Sequence, residues 1–152
     1  MIELTLPVSN FVREVAVPLL DDILRELSGQ DSPDERRYLP PPDDPELRET
    51  WIENLREDHH SDLASSRRLV QDPSLGTDEP LSIEPEAAES ALRGLTAARL
   101  RLRELHLVDM TDSSLEEGDF EFEKLNSREQ QGYLAYALAA ALQENLVLLL
   151  GP

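Results

Sequence analysis

The chain contains a long, strongly apolar segment near its C-terminus that other parts of the fold have to cover. Residues 128–150 include the runs "YLAYALAAAL" and "LVLLL". Ser127 with Gln130 fits a helix capping box, and Gly151 is a typical helix terminator. Because a helix that is apolar on most of its circumference is usually central in a bundle, we predict an all-α fold with the C-terminal helix at its centre. The alternative way to cover this helix is a homodimer.

Three earlier segments have the three-and-four spacing of amphipathic helices. The first ends at Gly29 and contains Pro18, which is expected to kink or split it. The second opens at Asp44–Pro45, where an N-cap residue precedes a proline at the first helical position, and it ends before Pro73. The third opens at Glu84–Pro85. With the C-terminal segment, these predict a bundle of about four principal helices.

The remaining residues are expected to complete one helical domain, 1–152, since this length fits a single core. Residues 2–6, "IELTL", alternate in polarity as a short strand does, although no second strand stands out nearby. The connections at 30–44, 72–83 and 109–126 are acidic or rich in proline and are predicted to be loops.

A formal net charge of −18, from 32 acidic and 14 basic residues, is the strongest compositional signal. It argues against direct nucleic-acid binding, which needs clustered Lys and Arg, and against binding to an anionic membrane surface. It favours a protein partner with a basic surface. Since the chain has no cysteine, disulfides, thiolate zinc sites and thiol catalysis within it are excluded.

The predicted location is the cytoplasm. The first residues, "MIELTLPVSN", lack the basic and long apolar regions of a signal peptide. The apolar C-terminal helix is interrupted by Gln143, Glu144 and Asn145, whereas a membrane span needs roughly 20 uninterrupted apolar residues. We therefore expect no membrane association.

The stretch "REDHHSDLASSRR", residues 56–68, is the one candidate for metal or acid–base chemistry. On a helix, Glu57 would neighbour His60, and His59 would neighbour Asp62. The Glu-x-x-His spacing occurs in di-iron bundles, but those need two such motifs, and this chain has one. We interpret the four residues as a solvated helix face, with no metal or other cofactor expected. A metal-dependent protein or a hydrolase using them is the alternative.

A more unusual feature is the basic stretch in the third helix. Continuing its apolar stripe by helical steps places Arg99 and His106 on the buried line. A guanidinium there must be paired or reach the surface along its stem. One interpretation is an ion pair with an acid on another helix. The other is an interaction patch of Arg93, Arg99, Arg103 and His106 that binds a carboxylate or a phosphate.

Three segments resemble an uncharacterised bacterial family of small acidic helical proteins, a domain of unknown function. They are "YLPPPDDPELRETW", "IEPEAAESALRGLTAARLRL" and "YLAYALAAALQENLVLLL". The resemblance covers most of the chain and implies a cytoplasmic helical protein without an assigned activity or functional residues. Genes of such families are sometimes found beside the Clp protease adaptor, which implies a link to protein quality control. The acidic segment 109–126 is longer than the connection expected for the family.

The function predicted from the sequence is therefore a non-enzymatic protein–protein interaction or regulatory module. Its acidic surface would attract a basic partner, and the arginine-rich helix would offer a contrasting patch. Besides the metal-dependent protein or hydrolase, a nucleic-acid mimic is a further alternative, in which carboxylates imitate the phosphates bound by a DNA-binding protein.

Overall fold

Four long helices dominate the computed structural model, which describes residues 1–29 and 43–151. The elements in chain order are β1 (Ile2–Leu4), α1 (Asn10–Ser28), α2 (Pro45–Gln71), β2 (Leu81–Ile83), α3 (Pro85–Leu105), α4 (Asp112–Glu117) and α5 (Ser127–Leu150). The predicted all-α bundle and its short N-terminal strand are confirmed. The predicted loop at 30–44 lies, up to residue 42, outside the described residues.

The helix starts follow from local capping chemistry. Asp44 caps α2 by accepting a hydrogen bond from the N–H of Glu46 at 2.9 Å, and Pro45 takes the first helical position, as predicted. In α1 the helix continues through Pro18, so of the two expected effects, a kink or a split, the split is wrong. Pro18 is exposed, while Leu20 and Leu24 on the opposite side of the helix are fully buried and hold it in the core.

The four long helices pack as the corners of a square in cross-section, in the order α1, α2, α3 and α5, and neighbouring helices are antiparallel. Arg13 at the start of α1 donates to the carbonyl oxygen of Pro73, just after α2, at 3.3 Å. Ser66 near the end of α2 donates to the carbonyl oxygen of Ala91 near the start of α3, at 2.9 Å. Helix α5 packs on both α3 and α1, which closes the square.

Helix α5 therefore forms one side of the bundle, in contrast to the predicted central position. It packs against α1, α3 and β1, with α2 across the core. Its inward residues, such as Leu142 and Leu146, are fully buried, whereas Glu144 and Leu148 are exposed. Several of its apolar positions are alanines. Because an alanine side chain has little apolar surface, its partial exposure costs little free energy, so other elements do not have to pack on every side of the helix.

Of the described helices, α5 is the one that is long and apolar enough to cross a membrane by length and composition alone. About a third of its most apolar 18-residue window, 33%, is buried inside the bundle. Core helices of soluble proteins can meet the same test when they are mostly buried, and here the inner side of α5 packs on α1 and α3.

A second strand pairs with the N-terminal one. β1 and β2 are antiparallel, with Ile2 opposite Ile83 and Leu4 opposite Leu81. Leu4 and Leu81 are buried and cover one end of the core. The prediction of a plain loop over 72–83 was therefore wrong, because three residues are too few for an alternating pattern to show.

The acidic segment 109–126 is also more structured than the predicted loop. Helix α4 is capped by Thr111, buries Leu115 in the core and ends at Gly118, whose φ of 69° lies in the left-handed region. A 3₁₀ turn, Phe122–Lys124, follows. A single buried leucine gives no helical periodicity, so the sequence pattern did not reveal α4.

The capping box of α5 is formed one residue before the predicted pair. The side chain of Asn126 accepts from the N–H of Glu129 at 2.8 Å, and the Glu129 carboxylate accepts from the N–H of Asn126 at 3.1 Å. Ser127 and Gln130 have the same spacing and suitable side chains, so the sequence alone fits both pairs.

Candidate interaction site

The histidine and carboxylate residues on α2 split between the core and the surface. His59 and Asp62 are buried, with 8% and 7% of their surface exposed, whereas Glu57 and His60 are exposed. The prediction of a solvated face was therefore wrong for His59 and Asp62. It missed them because no aliphatic residue occurs between 56 and 62.

The burial of Asp62 results from a close approach of α3. A Cβ atom added to Gly94 would lie 2.6 Å from the carbonyl oxygen of Asp62 and even closer to the hydroxyl of Ser66. Only a glycine fits at this position of α3, and its absence of a side chain lets the two helices come together over Asp62. Polar residues of α2 are thus enclosed by small residues of α3.

The Asp62 carboxylate is occupied by partners from α3. One oxygen accepts from the Ser90 hydroxyl at 2.8 Å, and the other accepts from Nε of Arg93 at 3.0 Å. The hydrogen bond to Asp62 is the main cause that raises the pKa of the Arg93 guanidinium above its ordinary value. A raised pKa stabilises the fold below the ordinary arginine pKa, so this contribution is constant across the physiological range.

No group of three or more histidine or acidic side chains within residues 1–29 and 43–151 is arranged to hold a metal ion. Asp62 is used by Ser90 and Arg93, and the rings of His59 and His60 lie 6.3 Å apart at 69° to each other. The structure therefore does not bring Glu57, His59, His60 and Asp62 together as one set of ligands.

Arg99 lies half-buried between α3 and α5, on the line that the apolar stripe predicted. One terminal nitrogen, Nη1, donates to Oε1 of Gln143 at 2.7 Å, and Nη2 donates to the Tyr136 hydroxyl at 2.9 Å. The guanidinium carbon also lies 4.6 Å from the centre of the Tyr136 ring, a cation–π distance. The expected ion pair to an acid on another helix is replaced by contacts with neutral groups.

The other residues of the predicted patch point in different directions. Arg93 binds Asp62 on the α2 side of α3, and His106 packs over Gly132 with Nδ1 3.1 Å from the carbonyl oxygen of Arg128. Arg103 pairs with Asp112 of α4 and donates to the carbonyl oxygen of Met110 at 3.3 Å. The four predicted residues therefore do not form one continuous surface.

Arg99 and Arg103 do share a pocket between α3 and α5. Its volume is about 180 Å³. Its walls are Thr96, Arg99, Leu100, Arg103 and Tyr136. The pocket combines two guanidinium groups, two hydroxyl groups and an apolar wall. Sequence reasoning identified the arginines but missed Thr96 and Tyr136 of the pocket and Gln143 beside it. The one signal was for Gln143, a polar interruption in an apolar helix.

The acidic side chains are almost all at the surface. Among the described aspartates and glutamates, Asp62 alone is buried. Within the acidic segment 109–126, all the acids lie between residues 109 and 123 and all are exposed. Asp112 pairs with Arg103, and Glu121 pairs with Lys124. The fold therefore presents most of its net negative charge to solvent.

Comparison with protein families identifies the group to which these features belong. Residues 7–150 match the family model described as Domain of unknown function (DUF2017). The chain belongs to this family. The match includes all four long helices, both arginines of the pocket and the acidic segment, so the resemblance noted from the sequence is confirmed. No curated protein and no solved structure matches this DUF2017 chain.

Proposed function

We propose that this DUF2017 chain is a non-enzymatic, cytoplasmic interaction module whose acidic surface binds a protein with a basic surface. The observation that carries the proposal is the exposure of the acids: of those in the described ranges, Asp62 alone is buried. Exposed carboxylates in excess create a long-range field that attracts positively charged partners. The resemblance makes a component of protein quality control the expected partner class.

The segment 109–123 is the best-supported contact surface. It holds the exposed acids Asp109, Asp112, Glu116, Glu117, Asp119, Glu121 and Glu123. It is held on the bundle by Leu115 and by the T-shaped contact of Phe120 with Tyr133, whose ring centres are 4.7 Å apart. Since the backbone is anchored at two points, these carboxylates are presented on a defined surface.

The test combines crosslinking in a cell extract with a charge-matched pair of variants. A triple variant, E116Q/E117Q/D119N, removes three charges from the acidic segment. The control, E14Q/E86Q/E89Q, removes three exposed charges elsewhere. We expect the first variant to lose crosslinked partners that the control retains. We also expect association with the captured partner to slow as salt is raised, because exposed charges are screened within roughly 10 Å at 0.1 M salt.

Capture that is unaffected by salt, or equally reduced by both triple variants, would contradict the proposal that segment 109–123 forms the contact. A captured partner that releases DNA when it binds this chain would identify the special case of a nucleic-acid mimic. In that case the same carboxylates would compete with phosphates for the partner's basic residues.

A further inference from the structure

We propose that the pocket between α3 and α5 binds a monocarboxylate. The ligand's carboxylate would contact Arg99 and Arg103, and its short apolar part would lie against Leu100 and Tyr136. This inference does not depend on the acidic surface, which acts on partners of the opposite charge.

The first argument is that the fold leaves the charge of Arg99 without a counterion. Arg67, Arg93 and Arg101 each pair with a carboxylate of another helix. Arg99 has no carboxylate within salt-bridge distance among the described residues, and its buried Nε atom has no acceptor there. A half-buried cation without an anion raises the free energy of the fold. Binding of an external carboxylate would offset this unfavourable term.

The second argument is that the guanidinium is held in place by neutral groups. The Gln143 amide that accepts from Arg99 itself donates to the carbonyl oxygen of Leu92 at 2.9 Å and to the hydroxyl of Thr96 at 2.7 Å. Each Nη of Arg99 uses one of its two hydrogens in these contacts and keeps the other. A fixed donor group loses little conformational entropy when an anion arrives.

The third argument concerns the size and charge of the ligand. A pocket of about 180 Å³ admits a carboxylate with a few carbon atoms, and Leu100, which is 40% exposed, supplies an apolar contact. Every additional negative charge on a ligand would be repelled by a chain of net charge −18. The pocket therefore favours one carboxylate on an apolar group over phosphate or a polycarboxylate.

Asp112 offers a direct control on this site. Its carboxylate pairs with Arg103, but its side chain is 80% exposed, so the pair is weakly held. Removal of this carboxylate should free Arg103 for the ligand. The variant D112N is thus expected to bind a carboxylate more tightly than the natural chain, an effect that a purely structural role of Arg99 does not produce.

Two sources supply this chemistry, a free small organic acid and the C-terminal carboxylate of a peptide. The probes are isovalerate and an acetylated dipeptide ending in leucine, with the amidated dipeptide and inorganic phosphate as comparisons. Binding is followed by the NMR signal of the Arg99 Nε–H, which is shielded from solvent. Saturation by isovalerate in the millimolar range or better supports a small acid, and saturation by the free dipeptide alone supports a chain terminus.

The variants are R99Q, D112N and the control R101Q, which removes a charge from the side of α3 that faces Glu26 of α1. We expect R99Q to weaken binding about tenfold or more, D112N to strengthen it several-fold and R101Q to leave it unchanged. Binding in R99Q is measured by calorimetry, after circular dichroism has shown that the variant is folded. If R99Q does not fold, D112N decides by itself. The proposal is overturned if neither carboxylate saturates, if phosphate binds more tightly, or if D112N has no effect.

Discussion

Two small groups, the hydrogen of Gly94 and the hydroxyl of Ser66, set the distance between α2 and α3. Ser66 is fully buried and donates its hydroxyl toward the carbonyl oxygens of Asp62 and Ala91, at 3.0 and 2.9 Å. The space above this hydroxyl is filled by the backbone of Gly94. The Asp62–Arg93 pair depends on the same spacing, because its partners come from the two helices.

We therefore expect G94A to lower the free energy of unfolding by about 2–4 kcal/mol, since the added methyl group overpacks the interface and displaces a buried hydrogen bond. The control is G29A, where a Cβ would meet no atom closer than the carbonyl oxygen of Glu26 at 3.5 Å. That variant should change stability by less than about 1 kcal/mol. Urea unfolding followed by circular dichroism measures both, and equal losses would contradict the packing argument.

Single residues also show which parts of the site could be read from the sequence. Arg99 could be placed on a buried line from the helical repeat of α3 alone, and its half-buried position agrees. Its partners Gln143 and Tyr136 could not be predicted, because they depend on the axial offset between the packed helices α5 and α3. The burial of His59 was missed for a similar reason, since it results from the packing of α2 in the bundle and the polar run 56–62 gives no sign of it.

At the scale of elements, α1 contains a local conflict between its sequence and its conformation. Pro18 has no N–H, so the helix lacks the hydrogen bond to the carbonyl oxygen of Glu14. Burial of Ala16, Leu20, Ile23, Leu24 and Leu27 on the inner side outweighs this loss. A sequence pattern identifies the proline as a breaker, but the strength of the packing that overrides it is a property of the whole bundle.

Replacement of Pro18 by alanine should accordingly stabilise the chain by about 1–3 kcal/mol, because the missing hydrogen bond can form and the ring no longer crowds the preceding turn. Pro45→Ala is the matched control. Pro45 occupies the first position of α2, where its lack of an N–H costs nothing, so no gain is expected. Thermal unfolding compares the two. A gain for both variants, or for neither, would show that Pro18 is not the weak point of α1.

The boundaries of α2 and α3 were predictable because capping residues and prolines mark them in the sequence. β2 and α4 were not. β2 has three residues and is defined by its pairing with β1, which lies about 80 residues earlier, near the N-terminus. Helix α4 buries one residue, Leu115. Elements this short are stabilised by their tertiary contacts more than by their own residues.

At the scale of the whole molecule, the negative net charge and the exposed apolar residues of α5 act in opposite directions. Each copy carries −18, so two copies repel each other at long range. Val147, Leu148 and Leu149 are 56%, 73% and 42% exposed in one turn at the end of α5. Glu144 is the one charged residue between Tyr133 and Leu150. Of the helix surfaces described, this turn combines apolar exposure with low charge, as a contact between two copies requires.

We expect the chain to form a dimer through this turn, and we expect salt to strengthen the dimer because it screens the repulsion between like charges. This dependence is opposite in sign to the one expected for a basic partner, so the two kinds of association can be separated with a salt series. Sedimentation velocity at several concentrations provides the measurement.

The variant L148E places a charge on each side of a symmetric contact and removes two buried leucines, so it should weaken the dimer by about a hundredfold or more. V108E is the control, since Val108 is 72% exposed and follows residues 105 and 106, which contact Arg128 at the start of α5, the opposite end from the apolar turn. It adds the same charge, and its dimer constant should change only by the small increase in general repulsion. Equal weakening by both variants would assign the effect to net charge, and a dimer that salt dissociates would exclude the apolar turn as its contact.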